Sequence, residues 1–398
     1  MSGAGGVASA GGAGVAGGAG VPGGAGVPGG TGGTGDAGVR GGAAGVGGAA
    51  IPGRAGGVAS AGGAGVPSGA GGGGGGVVRV GGVAGVVGTG AVPVLVRPRR
   101  LFAGDRVGIV APSGPVPRER LDAGLDVLRS WDLDPVVAPH VLDRHPSGYL
   151  AGADRDRARD LEAAWCDPAL AAVMCARGGY GVQRMADLLD WEAMRAAGPK
   201  AFIGYSDITA LHEAFATRLG VATLHGPMAA AETFLKDGPT QDHLRRTLFA
   251  PHEAQRLAPA TARTLVPGRA RGVTLGGCVS LLAADLGTAH ARRSAAGGIL
   301  VLEDIGEEPY RLDRILTQLL RSGWLEGVAG IVLGSWEDCG PYEEVRALFL
   351  DLLGGLGVPV VEDFGFGHCP STLTVPLGVP AVLDADAGTL TLEIPALV

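Results

Sequence analysis

The sequence predicts an α/β fold: a mainly parallel sheet with helices on both faces, followed by a second, smaller α/β domain. Three observations carry this. From Arg97 onward, short apolar runs alternate with segments of helical periodicity. The connections between them are short, as a sheet covered by crossover helices requires. A stretch rich in Pro, Ala and Arg, residues 251–271, then separates two such regions.

The elements follow in order. RVGIVAPSG (Arg106–Gly114) is an apolar run ending in Pro, Ser and Gly, a buried strand with its loop. RERLDAGLDVLRSW (Arg118–Trp131) sets Leu121, Leu125 and Leu128 on one helical face. DPVVAP, AAVMCARGG and KAFIGYSD read as strands, interleaved with the helices DRDRARDLEAAW, VQRMADLLDW and ITALHEAFATRLG. Beyond residue 271, LGGCVSLLAADLGT (Leu275–Thr288) reads as a glycine-rich turn entering a helix. ILVLED is a buried strand. YRLDRILTQLL is an amphipathic helix with Leu312, Ile315, Leu316 and Leu319 on one side. AGIVLGSW is a strand, and EEVRALFLDLLGGLG is a helix ended by glycine. Finally a flexible FGFG stretch leads to His368, on a loop between short strands.

Composition sets the bounds. More than half of the 75 glycines fall in the first ninety residues. Residues 1–95 are Gly, Ala and Val with scattered Pro, including the near-repeat GGAGVAGGAGVPGGAGVPGG. Glycine is not held to every third position, so this is no collagen helix. The VPGG pieces are similar to elastin-like sequence. Such side chains bury too little area to offset ordering entropy, so a flexible, dispensable tail is expected. The remaining chain divides into an N-terminal domain over 96–250, a linker over 251–271 and a C-terminal domain over 272–398. The formal charge is −7 and no basic block stands out, which argues against a nucleic-acid partner. The five cysteines, an odd number without C-x-x-C spacing, argue against a disulfide framework or structural zinc and fit a reducing compartment. No apolar run approaches the roughly eighteen residues of a spanning helix. The N-terminus lacks the basic and apolar regions of a secretory signal. A soluble cytoplasmic protein is expected.

Chemistry should gather where strands end, since ligands bind outside the carboxyl ends of strands in such sheets. ARGGYG (Ala176–Gly181) follows one strand; its glycines allow tight turning and expose N–H groups, though a plain turn would look the same. FIGYSD (Phe202–Asp207) follows another. Ser206 there stands between a buried strand and a helix, where a hydroxyl projects from the backbone and a helix N-terminus favours developing negative charge. The alternative is that Ser206 or Asp207 merely caps the helix. Glu303 ends the strand ILVLED, within reach of a cleft, or is a solvated loop acid. His368, in GHCPSTLTVPLG, would taken alone be a surface residue.

Taken together, seven segments in order resemble the LD-carboxypeptidase family of serine peptidases (muramoyltetrapeptide carboxypeptidases). They are GDRVGIVAPSGPV, CARGGYGVQRM, FIGYSDITALH, TLHGPM, LGGCVSLLAADLGT, LVLEDIGEEPYRLDRILTQLL and FGHCPSTLTVPLG. The resemblance covers about residues 98–396, all but the glycine-rich leader, which lies outside the family pattern. It implies an N-terminal sheet similar to class I glutamine amidotransferases and an active site between two domains. The nucleophile falls on Ser206, the general base on His368 and the orienting carboxylate on Glu303. The backbone N–H groups of Asp207 and Gly179 would meet the oxyanion, and Arg177 is a candidate for the substrate carboxylate. No metal or cofactor is implied. The implied reaction removes the terminal D-alanine from murein tetrapeptides, and the implied state is a homodimer. Two other readings stand beside it. One is a microcin-C self-immunity peptidase cleaving an aminoacyl or peptidyl nucleotide analogue. The other is a non-catalytic binding protein of the same fold. Cys369, next to His368, has no assigned role.

Overall fold

The computed structural model describes residues 91–398, so the tail expected over 1–95 lies, up to residue 90, outside the described residues. Fourteen strands are present among them: β1 (Arg106–Val110), β2 (Asp134–Val137), β3 (Leu170–Cys175), β4 (Ala201–Gly204), β5 (Thr223–His225), β6 (Arg256–Leu257), β7 (Arg263–Val266), β8 (Arg269–Cys278), β9 (Gly298–Ile305), β10 (Gly330–Glu337), β11 (Val360–Glu362), β12 (Val375–Leu377), β13 (Pro380–Asp384) and β14 (Thr389–Leu392). They form two sheets, the mixed α/β architecture that the alternation of patterns predicts.

The first sheet has the order β12-β5-β4-β3-β1-β2. Strands β1 to β5 run parallel. β3 and β4 are buried along their whole length, which is why they read as continuous apolar runs. The helix Arg118–Ser130 packs on this sheet through its predicted face, with Leu121, Leu125 and Leu128 buried, and the helix Asp154–Cys166 buries Leu161 and Trp165. Trp165, Phe202 and Phe215 stack in one aromatic cluster.

The second sheet has the order β6-β14-β13-β8-β9-β10-β11-β7. Its centre, β8 to β11, is parallel; its margins are antiparallel. The helix Pro309–Arg321 covers it with Leu312, Leu316 and Leu319, each fully buried.

Four local readings change. The stretch 251–271, read as a linker, contains β6, β7 and the start of β8, all paired into the second sheet. Backbone pairing supplies there what the sparse apolar side chains do not. Leu275–Cys278, read as a turn, is the end of β8; Gly276 and Gly277 have φ +125° and +139°, which only glycine takes without strain. A Cβ on Gly276 would lie 2.0 Å from Val301 O, so the two backbones approach closely. The FGFG stretch, read as flexible, is anchored by Phe364 and Phe366, both fully buried. Lastly, residues 91–95 belong to the fold. Val92 and Leu95 are buried, and their N–H groups donate to Ala296 O and Gly378 O, each at 2.8 Å.

The sheets meet through β12. After β11 of the second sheet the chain passes His368 and returns to the first, where β12 pairs antiparallel with β5. The loop bearing His368 is therefore held at both ends, one in each sheet. No helix among the described residues is long and apolar enough to cross a membrane. All five cysteines are free.

Candidate active site

Ser206 follows β4, where the chain turns at once into a 3₁₀ turn (Ser206–Ile208) and the helix Thr209–Ala214. Its φ is +66°, a left-handed conformation uncommon for a residue with a side chain. That strain turns the hydroxyl out of the strand direction. Two glycines make room. A Cβ on Gly204 would lie 2.8 Å from Ile208 Cγ2, and one on Gly178 would lie 2.9 Å from Ser206 Cβ. Neither Ser206 nor Asp207 caps the helix through its side chain.

Asp207 turns inward instead. Its carboxylate accepts from Ser113 Oγ and from Val182 N–H at 3.0 Å. One buried side chain so ties the elbow to the loop after β1 and to the start of the short helix Val182–Met185 after β3. Burial pushes this carboxyl up, against the hydrogen bonds that pull it down. Its backbone N–H, adjoining Ser206, is the part that sequence reasoning assigned to the oxyanion.

Glu303 lies in β9, not in a loop, and is fully buried. His368 Nδ1 donates to Glu303 Oε2 at 2.7 Å. Burial opposes ionisation of Glu303, but contacts with the imidazoles of His225 and His368 outweigh it and hold the carboxyl at about 2. Burial alone would lower His368; the Glu303 carboxylate outweighs that and raises it. The pair is thus an ionised carboxylate against a basic imidazole. Gly367, at φ +93°, permits this approach, because a Cβ there would lie 2.5 Å from Glu303 Oε2. The Tyr205 ring packs on the other side of His368, centroids 4.8 Å apart.

Ser206 and His368 line one cavity of 510 Å³, with Glu303 behind the imidazole. No hydrogen bond joins Ser206 Oγ to His368 among the described residues. Gly179, at φ +119°, lines the same cavity. Arg177 also lines it, and its Nη1 donates to Pro115 O at 2.6 Å, so the guanidinium braces a neighbouring loop while facing the cavity. Arg120 and Glu232 contribute an ion pair at 3.3 Å, and Glu337 lies on the wall formed by the end of β10. Cys369 lines the cavity, but burial pushes its thiol up to about 11, so it is protonated near neutral pH.

Sequence reasoning missed two side chains. Tyr205 was read only as part of the elbow. His225 stood unremarked in TLHGPM; its ring is buried against Glu303, with Nε2 at 3.5 Å from Oε1. The one signal was a histidine ending a short apolar run, which is too common to single out.

Comparison with known proteins identifies the family. Residues 107–226 match the LD-carboxypeptidase N-terminal domain, and residues 271–383 match the C-terminal domain. A provisionally named carboxypeptidase of Streptomyces coelicolor is 74% identical over 304 residues, 76% of this chain and 98% of that protein. The murein tetrapeptide carboxypeptidase of Pseudomonas aeruginosa is 36% identical over 302 residues, covering 71% of this chain and 94% of that protein. Among solved structures, the microcin C7 self-immunity protein in its wild-type apo state superposes with a TM-score of 0.67. It covers 76% of this chain and all of that one; at 23% identity, the likeness is one of fold alone. The chain belongs to the LD-carboxypeptidase family of peptidases.

Proposed function

We propose that this protein is a serine carboxypeptidase that hydrolyses the L,D-peptide bond to the terminal D-alanine of murein tetrapeptides. The observation that carries the reading is Ser206 at φ +66° on an elbow, opening into the cavity that also holds the Glu303-bonded His368. Ser206 Oγ attacks the scissile carbonyl carbon and His368 takes its proton. Glu303 orients the imidazole and stabilises its charged form. The Asp207 and Gly179 N–H groups accept the oxyanion's charge by donating to it. His368 returns the proton to the leaving D-alanine nitrogen, and water hydrolyses the acyl-enzyme. Arg177 receives the terminal carboxylate of the substrate.

Two points favour a murein peptide over a nucleotide analogue. Identity to the murein tetrapeptide carboxypeptidase is higher than to the microcin protein. And of the described residues lining the cavity, Tyr205 is the only phenyl or indole bearer and is 7% exposed, leaving little aromatic face for a nucleobase. With this reading goes a cytoplasmic homodimer, the state the family resemblance implies; sedimentation tests the assembly.

The experiment is mass spectrometry of a murein tetrapeptide after incubation with the protein. Loss of one D-alanine by the wild type, absent with Ser206→Ala, is the expected result. An intact tetrapeptide beside a cleaved aminoacyl nucleotide analogue would replace this reading with the microcin one.

A further inference from the structure

Glu303 presents two carboxylate oxygens to the protein interior. Oε2 accepts from His368; Oε1 is fully buried and has no hydrogen-bond partner among the described residues. A buried carboxylate oxygen left so is costly, and it calls for a donor. His225 stands opposite, 1% exposed, with both ring nitrogens also lacking partners and Nε2 at 3.5 Å from Oε1. The ring is fixed on all sides. It ends β5, in register with Gly204 of β4 and Val375 of β12. Phe366 meets it edge-on at 5.7 Å, and Tyr205 at 5.8 Å. His212 lies behind it at 6.2 Å, with its own Nε2 turned to Gly204 O at 2.9 Å.

We infer that His225 is a positioning residue for the catalytic carboxylate, donating its Nε2–H to Glu303 Oε1 so that Oε2 stays directed at His368. The inference rests on the triad reading above. An ionised carboxylate can only accept, so His225 must carry its proton on Nε2. A contraction of a few tenths of an ångström brings the pair to hydrogen-bond length. The carboxylate then has one imidazole on each oxygen and cannot rotate away as His368 gains the serine proton. The titratable groups facing this pair from the packed elements are His368, Tyr205, His212, Cys278, Asp304 and Cys369.

The test compares His225→Leu, which keeps bulk and loses the donor, with His225→Gln, which restores an N–H near the Nε2 position. On murein tetrapeptide, His225→Leu should lower kcat about 10- to 100-fold with KM within about twofold, and His225→Gln should recover to within about threefold of wild type. Without the donor, the Glu303–His368 pair holds a proton more tightly, so the acid limb of the pH–rate profile should move to higher pH in His225→Leu and return in His225→Gln. The inference falls if His225→Leu keeps more than half of kcat, if His225→Gln is as impaired as His225→Leu, or if the acid limb does not move. Nitrogen-15 histidine NMR of the wild type decides independently of whether the leucine variant folds. His225 should be the Nε2-protonated tautomer, with a signal that shifts in Glu303→Gln and stays in Ser206→Ala; protonation on Nδ1 overturns the inference. That arm needs no turnover, so a wild type inactive on the tetrapeptide would sink the proposed function and leave the NMR result to judge His225.

Discussion

Gly367→Ala offers a sharp test of the site geometry. The glycine precedes His368 and holds φ +93°, where an L side chain is strained. A Cβ built there lies 2.5 Å from Glu303 Oε2, 2.7 Å from its Cγ and 2.8 Å from its Cβ. Ordinary carbon contacts begin near 3.4 Å, so the carboxylate or the His368 loop must give by about 1 Å. Glu303 is part of a strand paired on both sides, so the loop is the element that yields. Backbone strain of about 1–2 kcal/mol adds to overpacking of about 1–3 kcal/mol, giving roughly 2–5 kcal/mol of lost stability. A displacement of that size at a reacting group lowers turnover about 100-fold. Urea unfolding and tetrapeptide turnover measure the two effects. Gly354→Ala is the control: its added Cβ meets nothing within 4 Å, and it should change stability by no more than about 0.5 kcal/mol. A Gly367→Ala protein as stable and as active as the Gly354→Ala protein would refute the tight placement of the His368 loop on Glu303.

Three further outcomes are expected. Glu303→Gln should lower turnover about 10⁴-fold with the fold retained by circular dichroism, because a neutral amide neither stabilises the imidazolium nor enforces its tautomer. Ser206→Ala should remove nearly all turnover while Cys369→Ala stays within about threefold of wild type, since a thiol at about 11 is protonated and stands off the elbow; a dead Cys369→Ala beside an active Ser206→Ala would replace the serine mechanism with a thiol one. Removal of residues 1–90 should leave Tm nearly unchanged, whereas removal of residues 1–96 should cost about 2–4 kcal/mol through Val92, Leu95 and their backbone bonds; equal Tm values for the two truncations would show that these residues contribute nothing to the fold.

By itself, the sequence determined the strand–helix alternation, because buried strands such as β3 and amphipathic helices such as Pro309–Arg321 write their burial into local periodicity. It also marked Ser206, Glu303 and His368, since a turn residue after an apolar run and seven ordered segments are readable one window at a time. What the tertiary structure decided depends on partners distant along the chain. The stretch 251–271 pairs into a sheet through backbone hydrogen bonds, which leave no side-chain pattern to read. FGFG is anchored because Phe364 and Phe366 are buried by elements elsewhere in the sequence. Asp207 left the helix cap for Ser113, 94 residues earlier. His225 met Glu303 only because β5 and β9, from different sheets, direct their side chains into one buried space. Local propensity fixes which elements form; the cost of burying an unpaired charge or polar atom fixes which of their side chains must face one another, and that is set only when the two sheets are assembled.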